Sequence, residues 1–93
     1  MIPKVQVGQY WKSYEKGYPG TQTTVLVTNF SYNDKRVSGI VVASNDKHQP
    51  VGRVSDGWTI LSAPHIWTQV EFQEKTKESM YIKLFEALNV ELE

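Results

Sequence analysis

The stretch TTVLVTNFSYNDKRVSGIVVAS, residues 23–44, decides the fold. Two runs of β-branched and aliphatic residues flank SYNDKR, whose Asn and Asp side chains favour a turn, so Thr23–Phe30 and Val37–Ser44 are expected to pair as an antiparallel hairpin. Gly39 interrupts the second run without a turn signal, which points to a bulge or a bend. Before this hairpin, KVQVGQYW alternates as a first strand, with Val5, Val7 and Trp11 on one side and Tyr10 on the other. Between them KSYEKGYPGTQ, residues 12–22, has two glycines, a proline and no apolar periodicity, and reads as a long loop.

Downstream, NDKHQPVG is a second loop, and GRVS and WTIL flank Asp56-Gly57, a dipeptide suited to a tight hairpin turn. After the break at Ser62, Ala63 and Pro64, the stretch from Ile66 to Phe72 alternates again. Ile66, Val70 and Phe72 are expected on the core side, which leaves Trp67, with Gln69 and Glu71, pointing away from it. The period then changes to steps of three and four. Tyr81, Leu84, Phe85, Leu88 and Leu92 form one stripe of an amphipathic helix, with Thr76 as its N-cap and Asn89 near its end. The stripe is expected to pack on the strands and seal their core.

The resulting fold class is mainly β: a small antiparallel SH3-like barrel with one C-terminal α-helix, residues 1–93 forming a single domain, 1–74 the barrel and 76–90 the helix. A chain of 93 residues holds one modest core. An OB-like barrel is the second choice, because its helix usually lies between strands.

Composition removes several functions. There is no cysteine, so neither a disulfide framework nor a thiolate metal site exists, and a cytoplasmic location is expected. The opening residues alternate instead of forming an apolar run, so neither a secretion signal nor a membrane span is expected. Net charge is zero, against a protein that coats nucleic acid. The charges are nonetheless uneven: residues 1–56 carry seven basic and four acidic side chains, residues 57–93 three and six.

No catalytic constellation emerges. His48 lies in a polar loop and His65 follows Pro64, without the spacing of a zinc site, so no metal and no cofactor are expected. Ser55, Asp56 and His65 fail as a triad because neighbours on a strand face opposite ways. GYPGTQTT feeds a strand where a phosphate-binding loop would feed a helix. What remains is an excess of aromatics. Eleven Phe, Trp and Tyr residues exceed what so small a barrel can enclose, so Tyr10, Tyr14, Tyr18, Tyr32 and Trp67 are expected at least partly exposed.

The segments VQVGQYWK, TTVLVTNF, VSGIVVAS and GRVSDGWTIL resemble a loose group of small phage and bacterial proteins of unassigned function, which open with Val-Gly-Gln-x-Trp and are expected to be SH3-like barrels. The resemblance covers roughly the first two thirds of the chain. It implies a fold and an accessory role, and it carries over no catalytic residue. The aromatics and the 12–22 loop suit a non-enzymatic protein-binding module, such as a phage-encoded regulator or inhibitor of a host protein. Its expected binding residues are Tyr10, Tyr14, Tyr18, Tyr32 and Trp67 with Lys12, Lys16, Arg36 and Arg53. The alternative is a single-stranded nucleic-acid or RNA-binding barrel, with Lys12, Lys16, Lys35, Arg36 and Arg53 beside aromatic rings. A neutral, aromatic-rich exterior also makes a homodimer the expected assembly.

Overall fold

The hairpin read from residues 23–44 is the centre of the molecule. In the computed structural model, which describes residues 4–14 and 22–89, β2 (Gln22–Ser31) and β3 (Arg36–Ser44) pair antiparallel. Their turn is closed by Ser31, whose hydroxyl accepts the Asp34 N–H, and by Lys35 in the left-handed region at φ 51°. Around them lie β1 (Tyr10–Tyr14), β4 (Val54–Trp58) and β5 (Trp67–Val70). The five strands form one antiparallel sheet in the order β4-β3-β2-β1-β5, followed by a helix, α1 (Glu74–Asn89). A single 3₁₀ turn, Pro64–Ile66, precedes β5.

Register explains the layers. Trp11, Val25 and Val41 stand side by side on β1, β2 and β3. With Val5, Val27, Val37, Trp58, Ile60, Leu61 and Trp67 they make the larger buried cluster. On the opposite face one apolar row crosses all five strands: Val70, Tyr10, Leu26, Ile40 and Val54 are successive register partners. Tyr10, Val42 and Met80 are buried there, and Phe72 and Leu84 pack against them. Helix α1 therefore lies across the second face of the sheet and does not lid the first.

The sheet is strongly curled. Edge strands of a flat five-stranded sheet would stand about 19 Å apart. Yet the rings of Trp58 on β4 and Trp67 on β5, the two edges, meet edge-to-face with centroids 6.1 Å apart. Gly39 permits part of this curvature. A Cβ there would come within 2.5 Å of Val25 Cγ1 and 2.7 Å of the Leu26 carbonyl oxygen, so only glycine allows the close approach. Next to it the register shifts against both neighbouring strands, β2 and β4, as the sequence suggested. The Trp58 indole N–H then donates to the Gly39 carbonyl at 3.0 Å, which ties the bend to the core. Among the described residues no pairing joins β4 to β5, so the expected closure into a continuous ring of strands is not part of the sheet.

Three expectations are corrected. Asp56 and Gly57 lie within β4; the chain reverses earlier, where Arg53 N–H donates to the Pro50 carbonyl and Gly52, at φ 96°, takes the position that a type II turn reserves for glycine. Val7 is exposed although Val5 and Trp11 are buried, because Gly8, at φ 93°, inserts a bulge in which Gly8 N–H donates to the Val27 carbonyl and Val27 N–H to that of Gln9. Helix α1 begins at Glu74, two residues ahead of Thr76.

Candidate protein-contact surface

The apolar residues of α1 occupy an arc too wide for the sheet to cover. At 100° per residue, Met80 and Leu84 define the direction that faces the sheet. Leu88, Tyr81, Phe85 and Ile82 follow in turn around one side of the helix, away from it. The two nearer the sheet are about half exposed, Leu88 48% and Tyr81 45%, and the two farther round are more so, Phe85 68% and Ile82 60%. Val54, which ends the apolar row on β4, is 68% exposed. The end of the helix lies beside the turn that leads into β4, since a Cβ on Gly52 would lie 3.5 Å from Ala87 Cβ and 3.8 Å from Leu88 Cδ2.

Two hydroxyls fix the position of this surface. Tyr10 and Tyr81 share a hydrogen bond at 2.5 Å. Burial, and then the bond to Tyr81, hold the Tyr10 hydroxyl well above the usual tyrosine range, so it stays protonated as pH rises past that range. Phe72 meets Tyr10 edge-to-face at 5.2 Å and sets its ring. Tyr81 is thus held by its tip while part of its ring faces solvent.

The residues singled out by sequence do not gather at one place. Tyr10 and Trp67, expected outside, are buried. Trp67 packs on Trp58 and donates its indole N–H to Thr59 Oγ1 at 2.9 Å. The alternation that set Trp67 opposite Val70 and Phe72 is correct, while Ile66, expected with them, ends the 3₁₀ turn and packs on Trp67's own cluster; both faces of the sheet are buried, so the opposite face is a second core and not the exterior. Tyr32 is 44% exposed, and its hydroxyl accepts the Val5 N–H and donates to the Val5 carbonyl, which ties the chain start to the β2–β3 turn. Arg36 and Lys35 are exposed at that turn. The expected 12–22 loop is shorter, since Lys12, Ser13 and Tyr14 belong to β1 and Gln22 to β2; the side chain of Tyr14 and residues 15–21, with Lys16 and Tyr18, lie outside the described residues.

Two open clefts, each of about 270 Å³, lie on opposite faces. The first runs between β4 and β5 over Trp58 and Trp67, with Ser13, Asp46 and Arg53 on its walls. One guanidinium nitrogen of Arg53 is already engaged, donating to the His48 carbonyl at 3.0 Å and to Gln49 Oε1 at 2.7 Å. The second, beside Val70 and Phe72, holds Lys12. Lys12 and Arg53 therefore do not line a common groove. Among the described residues no three His, Asp or Glu side chains converge as metal ligands, and no helix is long and apolar enough to cross a membrane.

None of the residues of the apolar surface was expected to bind: Tyr81, Phe85 and Leu88 were expected to pack on the strands, which their exposure corrects, and Ile82 and Val54 were not singled out. A signal for Ile82 was present: Met80, Tyr81 and Ile82 are consecutive, and a helix cannot turn three successive apolar side chains toward one sheet. No family model, curated protein or solved structure matches the chain.

Proposed function

We propose that this chain is a non-enzymatic protein-binding module on a small SH3-like barrel, and that its contact surface is the outward apolar side of α1 with Val54. The strand order, the 3₁₀ turn before the last strand and the Trp58–Trp67 contact between the edge strands support the barrel reading. The observation that carries the function is the set of large apolar side chains, Tyr81, Ile82, Phe85 and Leu88, exposed along one side of a single helix. A contiguous apolar patch of this kind on a small protein marks a contact site, and aromatic residues at its centre are the usual anchors. A regulator or inhibitor of another protein, of the sort a phage encodes, fits a chain with such a face. Nucleic-acid binding has less support, since Tyr10 and Trp67 are buried and cannot stack on bases, and Lys12 and Arg53 line separate clefts.

Site-specific photo-cross-linking tests the reading. A photoreactive phenylalanine analogue in place of Phe85 should give a dominant protein adduct in an extract of cells expressing the chain. The same group in place of Lys47, an exposed residue of the β3–β4 loop, should give none. Equal labelling from both positions, or no adduct from position 85, would remove the helix face from the account.

A further inference from the structure

We propose that the cleft between β4 and β5 binds a free α-amino acid with an apolar side chain, at a site separate from the helix face. Its walls carry one side chain of each charge, Asp46 and Arg53, and its floor is apolar, made by Trp58, Ile66 and Trp67 of the larger buried cluster. The loop between β3 and β4 sets the two charges. The His48 N–H donates to Asp46 Oδ1 at 2.9 Å, and the His48 carbonyl accepts from Arg53 Nη1 at 3.0 Å. Gln49 Oε1 accepts from the same nitrogen at 2.7 Å. Acid and base are thus anchored to one residue of the loop, yet no ion pair joins them or ties either to another described residue.

Both groups keep bonding capacity. Asp46 Oδ2 and Arg53 Nε and Nη2 have no partner among the described residues. A guanidinium held through Nη1 still offers the Nε–H and Nη2–H fork that matches a carboxylate. Ser55 and Thr59 line the same cleft. Their hydroxyl oxygens accept from the Gly57 N–H and the Trp67 indole N–H, so each retains its own proton to donate to a carboxylate oxygen.

The ligand class follows from this set. A simple anion would leave Asp46 facing a like charge, and a simple cation would do the same to Arg53. A molecule with both charges at one end and an apolar body satisfies the two walls and the floor together, and an α-amino acid carries its ammonium and carboxylate on one carbon. The cleft, at about 270 Å³, is smaller than the roughly 300 to 1,000 Å³ of sites for drug-sized ligands and suits one amino acid better than a peptide.

Nuclear magnetic resonance of the full chain with L-leucine, L-methionine and L-phenylalanine is the test, read at the indole N–H signals. Trp58 and Trp67 line the cleft, whereas Trp11, whose indole N–H donates to Gln9 Oε1, does not. At least one of the three amino acids should shift the Trp58 and Trp67 signals saturably and leave that of Trp11 in place, with a Kd of about 0.1 to 10 mM for so small a ligand. Its N-acetyl derivative, which lacks the ammonium, and its amide, which lacks the carboxylate, should each bind roughly tenfold more weakly. Asp46→Asn, which keeps an oxygen for the His48 N–H, should weaken the amino acid by a similar factor without weakening the N-acetyl derivative. Arg53→Gln should weaken the amino acid without weakening the amide. The derivatives and Asp46→Asn keep the test decisive even if Arg53→Gln disturbs the loop. No saturable shift with any of the three amino acids would overturn the proposal, as would derivatives that bind as well as their parent. Either result leaves cross-linking from position 85, and with it the protein-binding reading, untouched.

Discussion

Trp67 shows how one side chain holds two edges of a curled sheet together. Its ring rests on Trp58, and its indole N–H reaches Thr59 Oγ1 just beyond the end of β4. Truncation would remove the ring contact across the edges, open a cavity in the larger cluster and leave Thr59 without this partner. Trp67→Ala should therefore cost about 3 to 5 kcal/mol, as aromatic truncations in cores do. For a domain of this size that lowers the melting temperature by roughly 12 °C or more. Trp67→Phe, which keeps an aromatic ring but not the donor, should lose much less. Thermal unfolding followed by near-ultraviolet circular dichroism reads both, and an unchanged Trp67→Ala midpoint would put Trp67 back on the exterior.

At the scale of elements, α1 has two sides with different duties. Met80 is buried against Tyr10 and Val42, whereas Phe85 is largely exposed. Met80→Ala should destabilise the fold by about 2 to 5 kcal/mol. Phe85→Ala, measured on dilute protein, should stay within about 0.5 kcal/mol. Chemical denaturation of the two variants side by side checks the assignment, and similar losses for both would mean that the outward face is packed. The β2–β3 hairpin, the last strand and the helix were legible in sequence because periodicity reports which residues share a face, whereas residues 59–61, expected in a strand, form a turn and the first strand starts only at Tyr10. Which face meets solvent was not legible. Alternation separates Tyr10 from Trp11 and Trp67 from Val70, but it does not reveal that a helix arriving later covers Tyr10, or that the curl of the sheet encloses Trp67 on the other face. The Asp56-Gly57 turn failed for a related reason: the dipeptide permits a reversal, while pairing of β4 with β3 kept it extended and left the turn to Gly52. The contact surface was half legible. The helix stripe was read correctly as apolar, and its excess over what a sheet can cover lay in the position of Ile82.

The whole molecule is a curled sheet with a buried cluster on each face, and its outward apolar surface is concentrated on one side of its only described helix. The central claim is that this side is covered by protein when the chain is at work. Hydroxyl-radical footprinting inside expressing cells, compared with the purified chain in dilute solution, tests it without presupposing the partner. Tyr32 serves as the reference, an exposed aromatic at the β2–β3 turn, outside the helix. The account predicts that Tyr81, Phe85 and Leu88 are oxidised several-fold less in cells than in dilute solution, with Tyr32 labelled equally in both. Equal oxidation of Phe85 in the two settings would contradict it.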